Sequence, residues 1–161
     1  MLKHTRTGAI GALLDEYEKS INELKHTIDQ IPDNKLPVII DNITRDPYCK
    51  SYQGILAHIV SAGFNYAIAI KNYKGQSLAY TDKILLNTII DYKNELDNVF
   101  NYTVETFEQI DNNEMEEYED DKKIKVRWGQ SYDIEQLFEH AIVHILRHRR
   151  QIEKFMAIDA K

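Results

Sequence analysis

Apolar residues recur three and four positions apart along four long segments of this chain. Amphipathic helices satisfy that period and strands do not, so it constrains the fold more than any other feature. The first stripe runs from Ile10 through Leu14, Tyr17, Ile21 and Leu24 to Ile31. It follows the cap-competent Thr5 and Thr7, and Pro32 closes it by disfavouring helical geometry in the residue before it. A second helix is expected from Ser51 to Tyr73, with Ile55, Ile59, Tyr66 and Ile70 inward and Lys74-Gly75 at its end. A third is expected to begin at Thr81 or Asp82 and to reach Ile110 through Leu85, Ile89, Tyr92, Leu96 and Val99. The fourth opens at Asp133, which forms a capping box with Gln136, and carries Leu137, Phe138, Ala141, Ile145 and Ile152 inward to about Ala157.

All three prolines, Pro32, Pro37 and Pro47, fall between the first two stripes, so that stretch is expected to be a long crossover without regular structure. Residues 123–128 alternate strictly before Gly129 breaks the pattern, which reads as a short strand or extended arm ahead of the fourth helix. With 6 Gly and 3 Pro in 161 residues, the chain has too few turn-formers for an all-β sandwich. The expectation is a single all-α domain over residues 1–161, a four-helix bundle with a long crossover between helices one and two.

The formal net charge of −6 argues against nucleic acid, whose binding needs a basic surface. Arg147, Arg149 and Arg150 are too close in sequence to share a helix face and read as solvated charge. No stretch approaches about 18 consecutive apolar residues without charge, so no membrane span is expected, and the start MLKHTRTGAI lacks the apolar core of a leader. One cysteine, Cys49, rules out an internal disulfide. A cytoplasmic protein without membrane contact is expected. Glu114 to Asp121 lacks the ligand spacing and glycine of a calcium loop and reads as a solvated loop.

Chemistry concentrates in the histidines. His140, His144 and His148 follow one another at four-residue steps in the fourth helix, beside the inward Leu137, Ala141 and Ile145. Neighbours four apart can share one cation, whereas His140 and His148 are too far apart, so one adjacent pair is the candidate. His58 lies among inward positions of the second helix, and its imidazole is the natural third ligand. Three imidazoles leave coordination positions open, which suits a catalytic or substrate-binding ion rather than a closed structural one. Asn65 and Gln151 fall where they either line the same pocket with polar groups or serve as polar bundle positions, Tyr66 and Trp128 where they either wall it or pack in the core, and Arg149 where it either steers a carboxylate at the mouth or points outward into solvent. Cys49 has no histidine near it in sequence, and His4 and His26 read as surface residues.

The segment Ile55-Leu56-Ala57-His58-Ile59-Val60, together with His144-Ile-Leu-Arg-His148-Arg149-Arg-Gln151-Ile152, resembles the DinB family of metalloenzymes, also called DinB/YfiT-like, over nearly the whole chain. The resemblance implies a four-helix bundle and one divalent ion, zinc or nickel, held by His58, His144 and His148. His140 is then left behind the ligands or in the core. It also implies a small-molecule substrate, because some relatives transfer low-molecular-weight thiols such as bacillithiol or mycothiol to electrophiles and one is a maleylpyruvate isomerase. The alternative is a non-catalytic metal-binding bundle, a sensor or binding module. Relatives commonly pair through bundle faces, and the arm at 123–128 offers an edge, so a homodimer is expected.

Overall fold

A computed structural model of the chain describes residues 6–159, so the assignments made to His4 and Thr5 lie outside the described residues. Four helices dominate: α1 (Gly8–Ile28), α2 (Tyr52–Tyr73), α3 (Ile89–Phe107) and α4 (Ile134–Asp159). Each helix packs on two others, in the ring α1, α4, α2, α3, so α1 and α2 stand diagonally opposite, as do α3 and α4. Both diagonal connections are therefore long, and α2 and α4 become neighbours.

One continuous cluster of buried apolar side chains fills the ring, drawn from all four stripes. Tyr17, Phe107 and Phe138 form its aromatic centre, with Phe138 edge-on to Tyr17 at 5.0 Å between centroids. Each fully buried side chain of this size contributes roughly 1.5–3 kcal/mol. The helices approach closely at Gly63 of α2, where an added Cβ would stand 2.5 Å from Cγ1 of Val99 on α3. Contrary to the expectation of no stretch long and apolar enough, α2 is, among the described residues, the one helix long and apolar enough to cross a membrane, and 67% of its most apolar window is buried inside the bundle.

Several boundaries depart from the periodicity. Helix α1 stops at Ile28 rather than Ile31, although Ile31 stays buried just beyond it. Thr7 stands at its N-cap without a side-chain bond, and Asn112 from the far connection accepts from Ile10 N at 3.0 Å instead. The crossover is not wholly irregular, since it contains two single 3-10 turns, Asp33–Lys35 and Pro47–Cys49.

The largest correction is α3, which begins at Ile89 and not at Thr81 or Asp82. Side chains of α2 divert the backbone of the preceding stretch from helix formation. Asn72 bonds Leu78 through both N and O, and Asn65 does the same for Thr81. Gln53 Nε2 donates to Leu86 O, and Thr88 then caps the helix by accepting from Asp91 N. Leu85, counted as inward, is exposed. Residues 76–87 thus form an extended strap lying along α2.

The alternating arm is one side of a hairpin. β1 (Ile124–Lys125) pairs antiparallel with β2 (Ser131–Tyr132) across a turn in which Gly129 adopts φ +90°, a conformation that favours glycine. Ile124 and Val126 face inward as the alternation predicts, while Trp128 at the turn is half-exposed. The acidic run ahead of it is a solvated loop anchored by the buried Met115 and laced by pairs such as Lys122 with Glu119. Asp133 and Gln136 form the reciprocal cap that opens α4.

Candidate metal centre

His58 is fixed in register by Ser51, whose side chain accepts from Gly54 N and starts α2. That register turns His58 toward α4, where His144 and His148 are buried one turn apart. The three rings converge, with centroids 4.7 Å apart for His58 and His144, 4.9 Å for His58 and His148, and 4.5 Å for His144 and His148. One nitrogen from each lies within 4.8 Å of the others, and His58 Nε2 and His144 Nε2 are 2.8 Å apart. Ligands about 2.0 Å from a tetrahedral zinc stand roughly 3.3 Å from one another, a spacing that falls between those two distances.

The hydrogen bonds around His148 define its tautomer. Gln151 Nε2 donates to Cys49 O at 3.3 Å, which turns the amide oxygen of Gln151 toward His148 Nδ1 at 3.0 Å. A carbonyl oxygen can only accept, so Nδ1 carries the proton and Nε2 presents its lone pair. That Nε2 is buried and has no hydrogen-bond partner among the described residues, and neither has His58 Nδ1. An orphaned buried acceptor costs about 1–3 kcal/mol. A cation shared with the other two imidazoles would satisfy the one on His148, and the donor set therefore fits a divalent ion.

Burial also sets the charge. It lowers the His58 pKa to about 4, helped by His148 and Lys83, and that of His144 to about 2, helped by His148 and His58. His148 moves down for the same reason, opposed by its bond to Gln151. All three rings are neutral at physiological pH, as ligation requires.

Above the triad opens a cavity of about 900 Å³, within the range of small-molecule sites. His58 and His144 form part of its floor. Asn65 lines one side while holding Thr81 of the strap, and Tyr66 stands edge-on to His144 at 5.7 Å. His140 is a half-buried wall residue rather than a core one, stacked on Trp128 at 5.5 Å and 25°. Gln151 supports His148 from behind instead of lining the cavity.

Arg149 takes the outward of its two orientations: it turns away from the cavity to pair with Glu23 and Glu153 on the α1 side, and the arginines that line the cavity are Arg127 and Arg147. The Cys49 thiol is held above its usual pKa by burial and by Asp46, so it is not a poised nucleophile. His26 is exposed, as expected. The sequence reading missed Tyr48, Tyr80, Lys83 and Arg127, all on connections outside the four helices. Arg147 was legible in principle, three residues from His144 and so on nearly the same face.

Neither the family models nor the curated proteins with which the sequence was compared match it. The functional reading therefore rests on the geometry of the site.

Proposed function

We propose that the protein is a metal-dependent enzyme of DinB type, in which an ion on His58, His144 and His148 activates a low-molecular-weight thiol for transfer to a small electrophile. The observation that carries this reading is the convergence of three neutral imidazoles, two of which, His58 and His144, lie at the floor of an open cavity. Side chains filling the space over the ion would instead have favoured a sensor or binding module. Zinc or nickel suits a set of imidazole donors.

When bound, such an ion supplies Lewis acidity that favours a thiolate over its thiol at neutral pH. The chain's own contributions are positional. Gln151 keeps the His148 proton on Nδ1, so Nε2 stays free to ligate. Burial keeps His58 and His144 unprotonated. The cavity seats thiol and electrophile side by side, and a fixed approach replaces a bimolecular encounter. In the transfer, a carbon–sulfur bond forms, the leaving group departs with its electron pair, and the thiol proton passes to solvent. Cytoplasmic location and a homodimer belong to the same proposal.

The test has two stages. Purified protein incubated with zinc or nickel should take up one ion per chain, and His144→Ala should take up none while remaining helical by circular dichroism. Metal-loaded protein is then mixed with cysteine, glutathione or 2-mercaptoethanol and 1-chloro-2,4-dinitrobenzene, with His148→Ala as control. Rates equal to the control for every thiol would refute the transferase and leave the binding module as the better reading.

A further inference from the structure

The mouth of the cavity carries an excess of one sign of charge. Lys83 from the strap, Arg127 from the hairpin and Arg147 from α4 line it, against the single carboxylate of Asp82. Several other cations of this acidic chain are tied to carboxylates across elements, as Lys25 is to Asp97, Lys93 to Asp29 and Lys35 to Asp159. None of the three cavity cations has a carboxylate partner among the described residues. Lys83 lies over the Tyr48 ring at 4.0 Å and Arg127 over the Tyr80 ring at 5.2 Å, contacts that hold their positions without neutralising them. Arg147 has no partner of either kind among the described residues, and its charge helps hold the neighbouring His58, His140 and His144 neutral.

Another part of the lining is aromatic. Trp128 is half-exposed, backed by His140 in a stack and flanked by Tyr132 at 6.2 Å. Its indole N–H is engaged by Gln130 Oε1 at 2.9 Å, which fixes the ring as a surface to stack on.

We propose that the cavity binds a planar organic carboxylate, with the flat part against Trp128 and the carboxylate on the guanidinium of Arg147, Lys83 adding charge. This names the class of substrate for the cavity described above, and so rests on reading that cavity as the substrate chamber. It does not require the ion. An unpaired guanidinium is the group that recognises a carboxylate through two parallel hydrogen bonds.

Trp128 is the single tryptophan of the chain, so its fluorescence reports this cavity alone. The probe is 4-nitrobenzoate, a quenching planar carboxylate, against its neutral isostere 4-nitrobenzamide, each titrated into chelator-treated and zinc-loaded protein. In the zinc-free protein the carboxylate should bind about tenfold more tightly than the amide, as one charge-assisted contact warrants. Arg147→Gln should bring that ratio close to one, and Lys83→Gln should reduce it by a smaller factor. Both residues lie at the mouth and outside the apolar core, so neither variant threatens the fold. Equal affinities in zinc-free wild type, or a preference that survives Arg147→Gln, would overturn the proposal. A preference that appears only with zinc would place the carboxylate on the ion, overturning this anchor while supporting the metal centre. A tenfold, Arg147-dependent preference in protein that takes up no zinc would do the reverse.

Discussion

Acidifying the metal-free protein from pH 7 to pH 5 should destabilise it by about 3 kcal/mol, because histidines that must stay neutral when folded are free to protonate when unfolded. The sign follows from the direction of the shifts. His58 and His144 have folded pKa values depressed to about 4 and about 2, so their contribution is fully present above the ordinary imidazole value and is lost as pH falls toward those numbers. Between pH 7 and pH 5 the unfolded chain takes up protons that the folded chain does not, at about 1.4 kcal/mol per pH unit once the difference is complete. Integrated across that window with an unfolded pKa of 6.5, His144 alone accounts for about 2 kcal/mol. That figure does not depend on the folded value, which lies below the window. His58 keeps some exposure, and solvent screening reduces its share to about 1 kcal/mol. His148 acts in the same direction. Urea titrations of chelator-treated protein at pH 7, 6 and 5, followed by far-ultraviolet circular dichroism, measure the effect. At about 2 kcal/mol per molar urea, the midpoint should fall by roughly 1.5 M. His144→Leu should lose about two thirds of that fall. The same pH dependence in His144→Leu as in wild type would refute the reasoning, as would no dependence in either.

Gln151→Leu removes the acceptor that holds the His148 proton, and zinc affinity by indicator competition should weaken about 10- to 100-fold with helicity unchanged; unchanged affinity would show that the tautomer is set elsewhere. Asn65→Ala deletes the bonds to Thr81 N and O and should raise cleavage within residues 76–87 by limited proteolysis, at a cost of about 1–2 kcal/mol. A strap no more sensitive than wild type would mean that its other contacts hold it. Light scattering at micromolar concentration should return twice the 18.9 kDa chain mass, and a monomer mass would count against the homodimer.

Legibility in the sequence follows the length of each signal. The bundle was readable because four stripes repeat their period over many turns, and the capping box at Asp133 and Gln136 marked the start of α4 to the residue. The triad was readable for the same reason: helical spacing turns His144 and His148 to one side, and the stripe around His58 says which side of α2 is inward. Where a long-range side chain competes with the local period, the reading fails. Asn65, Asn72 and Gln53 capture the backbone ahead of α3, and nothing in residues 78–86 announces partners 6 to 33 positions away. The cavity walls were the least legible part. Tyr48, Tyr80 and Lys83 sit on connections whose course depends on the packed bundle, and Arg149 and Arg147 differ by two positions yet face opposite sides of α4.

The centre is built from two kinds of material. Its ligands come from α2 and α4, locked by the core and by the close approach at Gly63, while much of the wall comes from the crossover, the strap and the hairpin, which touch the bundle from outside. Connections of this kind accept substitution and changes of length more readily than helices do. The arrangement therefore separates inheritance of the three imidazoles from the lining of the cavity above them. Loops grafted from one such bundle to another would carry that lining with them, and an engineer could redraw the cavity residue by residue without re-establishing the imidazoles beneath it.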